Sequence, residues 1–165
     1  LEGDANTVTS GTRPPNSTAT GNEQSWVEKN AEQWVNGLSN GTRSTDGRLV
    51  VSVYSATGDA VTDSNTAERR GNADNLLREG SVALSPDLIA KYRPETGSEV
   101  FINGISVGFY EDATADVYQG TTFKNTIDIY DENGSLGSKE ILKNIPSGDW
   151  EIKFGKPRAQ ISNPS

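Results

Sequence analysis

Between Thr114 and Tyr130 the chain offers two carboxylates, Asp116 and Asp128, set in β-prone sequence, and no other strongly reactive side chain. Across all 165 residues there is no cysteine and no histidine. Disulfides, thiol nucleophiles, Cys/His zinc sites and triads with a histidine base are therefore excluded. What remains is carboxylate chemistry, either proton transfer or coordination of a hard cation. Asp112, Asp116, Asp128 and Asp131 invite a calcium reading, but EF-hand spacing is absent, and neither a metal nor another cofactor is expected.

The two aspartates differ in setting. Asp128 stands between Ile127 and Ile129 in the run Thr126 to Tyr130. On a strand the isoleucines face the core, and Asp128 points the other way with Thr126 and Tyr130. An ordinary solvated strand face gives the same pattern. If that face lines a groove, Asp128 is the acid, Asp116 its partner, and Tyr54, Tyr118 and Tyr130 are candidates for substrate contact. An acid working near neutral pH needs a raised pKa, which partial burial and a second nearby carboxylate supply. Asp116 also suits a turn in which its side chain bonds its own backbone.

Composition narrows the partners. A net charge of -8 argues against nucleic acid and anionic membrane surfaces, both of which attract clustered Lys and Arg. No apolar run is long enough to span a membrane as a helix. An apolar fraction of 32%, with 17 Gly and 7 Pro, predicts one compact core among long polar loops rather than a helical bundle. Leu1 is not an initiator methionine, so the chain is expected to be a trimmed product or to begin with an added Leu1-Glu2, and an export signal removed earlier would leave no trace in it.

The elements that must position the aspartates follow in order. Residues 1–24 read as a flexible polar leader. Over 25–38, Trp26, Val27, Ala31, Trp34, Val35 and Leu38 recur at helical spacing. Such a helix docks on the domain through its tryptophans, although exposed tryptophans also serve as sugar platforms. Arg48 to Tyr54 changes to strand period. The polar stretch Ala60 to Glu79 reads as a solvated loop with a helical turn near Asp74 to Arg78, or as one wall of a groove. A short strand is then expected within Gly80 to Ile89, breaking and turning at Pro86, and another at Glu99 to Ile102. Asn103-Gly104 signals a hairpin returning through Ile105 to Tyr110. Further strand material is expected at Phe123 and Thr126 to Tyr130, a turn at Asp131 to Gly137, and a closing strand at Trp150 to Phe154, with a tail over 157–165. About six short strands favour a small barrel only weakly.

The order of motifs goes further. A strand ending at Tyr54, then Gly80-Ser-Val-Ala-Leu-Ser-Pro-Asp-Leu-Ile89, Thr96-Gly97-Ser98-Glu99-Val100-Phe101-Ile102, Asp116 and finally Ile127-Asp128-Ile129-Tyr130 resembles the bacterial three-aspartate domain. That family includes stationary-phase survival proteins and the catalytic core of membrane-bound lytic transglycosylase A. The resemblance implies a mainly β chain, with a six-stranded double-psi β-barrel over 48–156 and the helix of 25–38 packed on it. It also implies a lytic transglycosylase, secreted or in the cell envelope, that cleaves peptidoglycan or a related glycan between N-acetylmuramic acid and N-acetylglucosamine. Asp128 occupies the position of the family's acid/base. Ser85 stands where the first family aspartate belongs, and is carried as a substrate-binding candidate or a plain cap beside Pro86. Asp116 matches the second aspartate without the usual glycine pair, and Asp112 is a competing match. With one aspartate replaced, a catalytically reduced glycan-binding or structural envelope module is the alternative reading.

Overall fold

The structure is a computed structural model that describes residues 26–37, 47–55, 71, 75–118, 120–132 and 141–162. The leader expected over 1–24 lies outside them. Helix α1 spans Trp26–Gly37, followed by β1 (Leu49–Tyr54), β2 (Ser81–Leu84), α2 (Pro86–Tyr92), β3 (Ser98–Ile102) and β4 (Ile105–Ala113). Then come β5 (Val117–Tyr118), β6 (Thr121–Thr122), β7 (Thr126–Tyr130), β8 (Ile141–Ile145) and β9 (Ile152–Pro157). Seven strands form one mixed sheet in the order β8-β1-β7-β2-β4-β3-β9, and β5 and β6 pair separately as a small ribbon.

The chain is mainly β, as expected, but among the described residues the sheet has seven strands rather than six and is not closed into a barrel. Its edges, β8 and β9, are joined by only the six residues 146–151. A flat sheet of this size separates its edge strands by about 29 Å. The connector reaches at most about 25 Å when fully extended, and it spends part of that on a turn in which the Asp149 amide donates to the Pro146 carbonyl at 3.0 Å. The sheet must therefore coil so that its edges approach without pairing.

One face of the coil holds the main core. Val51 and Val53, Val82 and Leu84, Val100 and Ile102, and Ile127 and Ile129 all lie in it, fully shielded from solvent. Alternation within each strand sets this, since every second side chain faces the same way. Helix α1 adds Val27 and Trp34 to the core, and the Trp34 indole donates to the Ser106 carbonyl at 3.1 Å. Trp34 is thus a packing residue rather than a sugar platform.

β8 escaped the sequence reading because Lys143 interrupts its apolar pattern. Lys143 pairs with the core residue Val51 in register, and its ammonium donates at 2.5 Å to the Val35 carbonyl. A cation there suits the negative end of α1. The sequence predicts a turn at Pro86, yet Ser85-Pro86-Asp87 is a helix start: Ser85 is the N-cap of α2, Pro86 fits the first helical position, and Asp87 lies in the first turn. Arg93 then closes α2 in the left-handed region, its amide donating to the Ile89 carbonyl. At Asn103-Gly104 both residues have positive φ, 52° and 81°, and the hairpin forms where it was expected.

The parallel pair β2–β4 requires one glycine. Gly108 has φ +135°, and a Cβ there would sit 2.5 Å from both the Gly80 carbonyl oxygen and Val82 Cγ2. Gly108→Ala is expected to lower stability by at least about 2 kcal/mol, read as a lower urea midpoint. The control is Gly104→Ala, which meets nothing within 4 Å and carries only the backbone penalty, about 1 kcal/mol.

Candidate functional site

Four strands set one row of residues on the face opposite the main core. Ala83 on β2 is in register with Asp128 on β7 on one side and Asp112 on β4 on the other; Asp128 is in turn opposite Ser52 on β1. Two carboxylates thus flank one methyl group.

The row exists because β4 carries a bulge. Tyr110 pairs with Val82 but Asp112 pairs with Ala83, so Glu111 is the extra residue. A bulge shifts which residues face which side. Without it, Glu111 rather than Asp112 would stand opposite Ala83.

Asp128 is buried, with 2% of its surface exposed, and its Oδ1 accepts a hydrogen bond from the Ser52 hydroxyl at 3.0 Å. The Tyr54 hydroxyl reaches past the two strands that separate β1 from β4 and donates to Asp112 Oδ2 at 2.8 Å. Tyr54 and Tyr130 are register partners whose rings meet edge-on, centroids 5.5 Å apart. With Leu77 and Ala83 they make a second, smaller apolar cluster beside the carboxylates. Asp131 is also buried, and its amide donates to the Tyr54 carbonyl at 2.7 Å.

Tyr54 records this environment. Burial first, then the charges of Asp112 and Asp128 and the hydrogen bond to Asp112, raise its hydroxyl well above the ordinary tyrosine value. A raised folded value means that the unfolded chain gives up this proton first as pH climbs. The Tyr54 contribution is therefore complete below about pH 10 and is lost as pH rises through the higher folded value. Tyr54→Phe is expected to cost about 1.5–3 kcal/mol at neutral pH, through the lost bond to a charged acceptor. The gap between the two proteins should narrow above about pH 10, as read by chemical denaturation across that range.

The structure places Asp128 and Tyr130 on one face of β7, brings Tyr54 beside Tyr130, and adds Ser52 and Ala83. It places Asp116 elsewhere. Asp116 is exposed at the bend entering the β5–β6 ribbon, where its carbonyl accepts the Phe123 amide at 2.9 Å. The second carboxylate of the row is the competing match, Asp112, and the bulge that selects it leaves no mark in composition or periodicity. Tyr54 and Tyr130, 6% and 1% exposed, are packed on each other and present no free ring face to a sugar. The side chain of Tyr118 lies outside the described residues.

Ser85 is fully buried at the junction of β2 and α2. Its amide donates to the Thr126 carbonyl, and its hydroxyl oxygen accepts the Thr126 amide, both at 3.0 Å. Beside it, the Asp87 carboxylate accepts the Asn125 amide at 3.0 and 3.3 Å. These contacts fasten the start of β7, two residues before Asp128, to the end of β2.

No protein family, curated protein or solved structure matches this chain. Among the described residues no group of three or more carboxylates is arranged to hold a metal ion, and no helix is long and apolar enough to cross a membrane.

A second polar cluster lies on the other side of the bulge. Glu111 is fully buried between two arginines: Arg158 donates from Nη2 to Oε1 at 2.7 Å and from Nε to Oε2 at 2.9 Å, while Arg78 approaches Oε2 at 3.5 Å. Ser81 and Gln160 donate to the same carboxylate at 2.6 and 2.8 Å. Leu77, Arg78 and Glu79 are buried, so the end of the stretch read as a solvated loop is interior. Asn75 forms a β-bridge with Ser162 where a helical turn was expected. The described part of the expected tail is held to Asn75 through the same bridge and to β4 through Arg158.

Proposed function

We propose that this chain cleaves peptidoglycan or a related glycan without water as the nucleophile, with Asp128 as the acid/base and Asp112 as the second carboxylate. The observation that carries the reading is the register Asp112–Ala83–Asp128–Ser52, which sets two carboxylates on one face with a small residue between them. The motif resemblance supplies the substrate class. Two parallel pairs, β1–β7 and β2–β4, meet across the antiparallel pair β2–β7, which supports a double-psi arrangement in the coiled sheet.

In this mechanism protonated Asp128 donates to the glycosidic oxygen as the bond from C1 breaks, and the leaving sugar keeps the bonding electrons. Asp112, as carboxylate, stabilises the positive charge that develops at C1. The C6 hydroxyl of the same sugar then bonds to C1 and returns its proton to Asp128, closing a 1,6-anhydro ring. One carboxyl group thus serves both steps. Ser52 holds Asp128 in place, and Tyr54 holds Asp112.

A second reading is favoured by a specific observation. Asp128 is only 2% exposed, so a glycan reaches it only when part of its cover moves, and Ser85 is spent on the Thr126 backbone. A glycan-binding or structural module of the cell envelope needs neither movement nor turnover. Incubation with purified peptidoglycan separates the two. Release of soluble fragments by the wild type supports the lytic reading, while co-sedimentation without release supports the module. The lytic reading places the protein outside the cytoplasm, where that substrate lies.

A further inference from the structure

Glu111 and Asp112 are adjacent, yet they belong to different constellations. Glu111 is the bulged residue of β4, and its carboxylate accepts hydrogen bonds from Arg158, Gln160 and Ser81. Two of these three donors lie in the segment 158–162, which follows β9. That segment is anchored at further points, among them the Arg158 guanidinium donating to the Glu79 carbonyl at 3.0 Å, Arg78 donating to the Ala159 carbonyl, the Leu76 amide donating to the Ile161 carbonyl at 2.7 Å, and Ser162 bridging Asn75. The Arg158 guanidinium also stacks over the Phe109 ring on β4, 4.4 Å from its centroid.

A bulge has no ladder partner of its own to fix its geometry. Here the side chain of the extra residue is fixed instead, from outside the strand. We propose that residues 158–162 act as a strap in which Arg158 and Gln160 are positioning residues: by clamping Glu111 they hold the β4 bulge and so aim Asp112 at the row it shares with Ala83 and Asp128. The inference rests on Asp112 being the second carboxylate of the site. It adds a structural control of that site by a segment that contributes no atom to the row.

Tyr54 supplies a readout independent of catalysis, because its hydroxyl touches Asp112. Burial raises its titration first, and the charges of Asp112, Asp128 and Tyr130, with the hydrogen bond to Asp112, raise it further. The full chain labelled with 13Cζ-tyrosine is titrated by NMR, with Tyr54→Phe identifying the resonance. Arg158→Gln is expected to remain folded by near-ultraviolet circular dichroism and to lower the Tyr54 midpoint by about one unit. Asp112→Asn should produce a comparable fall, and the double variant no additional one, since both act through the same contact. Should Arg158→Gln fail to fold, Gln160→Ala carries the same comparison through a single lost donor. A folded strap variant with the Tyr54 midpoint of the wild type overturns the proposal, as does a double variant in which the two shifts add. Turnover is assayed in parallel. Absence of turnover in the wild type removes the lytic reading while the Tyr54 comparison stands; turnover with an unmoved Tyr54 removes the strap and leaves the lytic reading intact.

Discussion

Asp128→Asn is expected to reduce release of glycan fragments by about 10²–10⁴-fold, the range that a positioned acid/base supplies. Asparagine has nearly the same shape, and its carbonyl still accepts the Ser52 hydroxyl that now reaches Asp128 at 3.0 Å. The amide has no acidic proton to donate, and it cannot take one from a C6 hydroxyl. The substitution therefore separates chemistry from packing. Circular dichroism and the melting transition should remain close to those of the wild type while the rate falls. Asp116→Asn is the matching control. That residue is exposed at the entry to the ribbon and absent from the carboxylate row, so its replacement should leave the rate within about twofold on the same principle.

The largest effect on stability is expected at Glu111→Ala. The wild-type carboxylate is fully buried between Arg78 and Arg158, whose side chains are 1% and 6% exposed. Removing it strands two guanidinium groups in the interior, a change that typically costs about 3–5 kcal/mol. Chemical denaturation at neutral pH measures this. Acid has the same target. Burial pushes the Glu111 carboxyl up, but the hydrogen bond and charge of Arg158, with bonds from Ser81 and Gln160, outweigh burial and hold it below the ordinary glutamate value. A lowered folded value means that the unfolded chain binds the proton first as pH falls. The contribution of Glu111 is therefore complete above about pH 4.5 and is lost as pH falls through the lower folded value. Glu111→Gln should flatten that part of the acid limb, because no proton is taken up at this position.

Much of the strand frame was legible because alternation survives translation into burial. Ile127 and Ile129 face the core and Asp128 faces away, as period two requires. The tryptophan spacing likewise marked α1, and Asn103-Gly104 marked its hairpin. Other features failed to register for physical reasons. Lys143 hides β8 because a buried lysine stem with its amine on a helix end looks, in sequence, like a break in an apolar strand. Leu77, Arg78 and Glu79 looked like loop residues because charge suggests solvent, and their burial depends on a partner carboxylate distant in the chain and a returning segment beyond β9. The choice of Asp112 over Asp116 is the same lesson on a smaller scale. Motif spacing counts residues, whereas a bulge adds one residue to β4 without adding a position to the ladder. Nothing in the residue types around Glu111 announces that extra residue; only its register against β2 does.

Ser85 also acquires a physical account. In the resemblance it replaces a carboxylate, but in the fold it joins β2 to β7 through paired bonds with Thr126. Together with Asp87 on the Asn125 amide, it fixes the strand start from which Asp128 projects. Its place in the account is therefore to hold the frame of the row, while proton transfer is assigned to Asp128.

The most direct test of that assignment is the chemistry of the new chain ends released from purified peptidoglycan, analysed by mass spectrometry before and after borohydride reduction. Closure of the ring by the C6 hydroxyl leaves 1,6-anhydro-muramic ends, which lack a reducing group and do not change on reduction. The wild type is expected to release these ends, and Asp128→Asn to lose them. Reducible ends from the wild type, or anhydro ends formed at an undiminished rate by Asp128→Asn, would contradict that assignment.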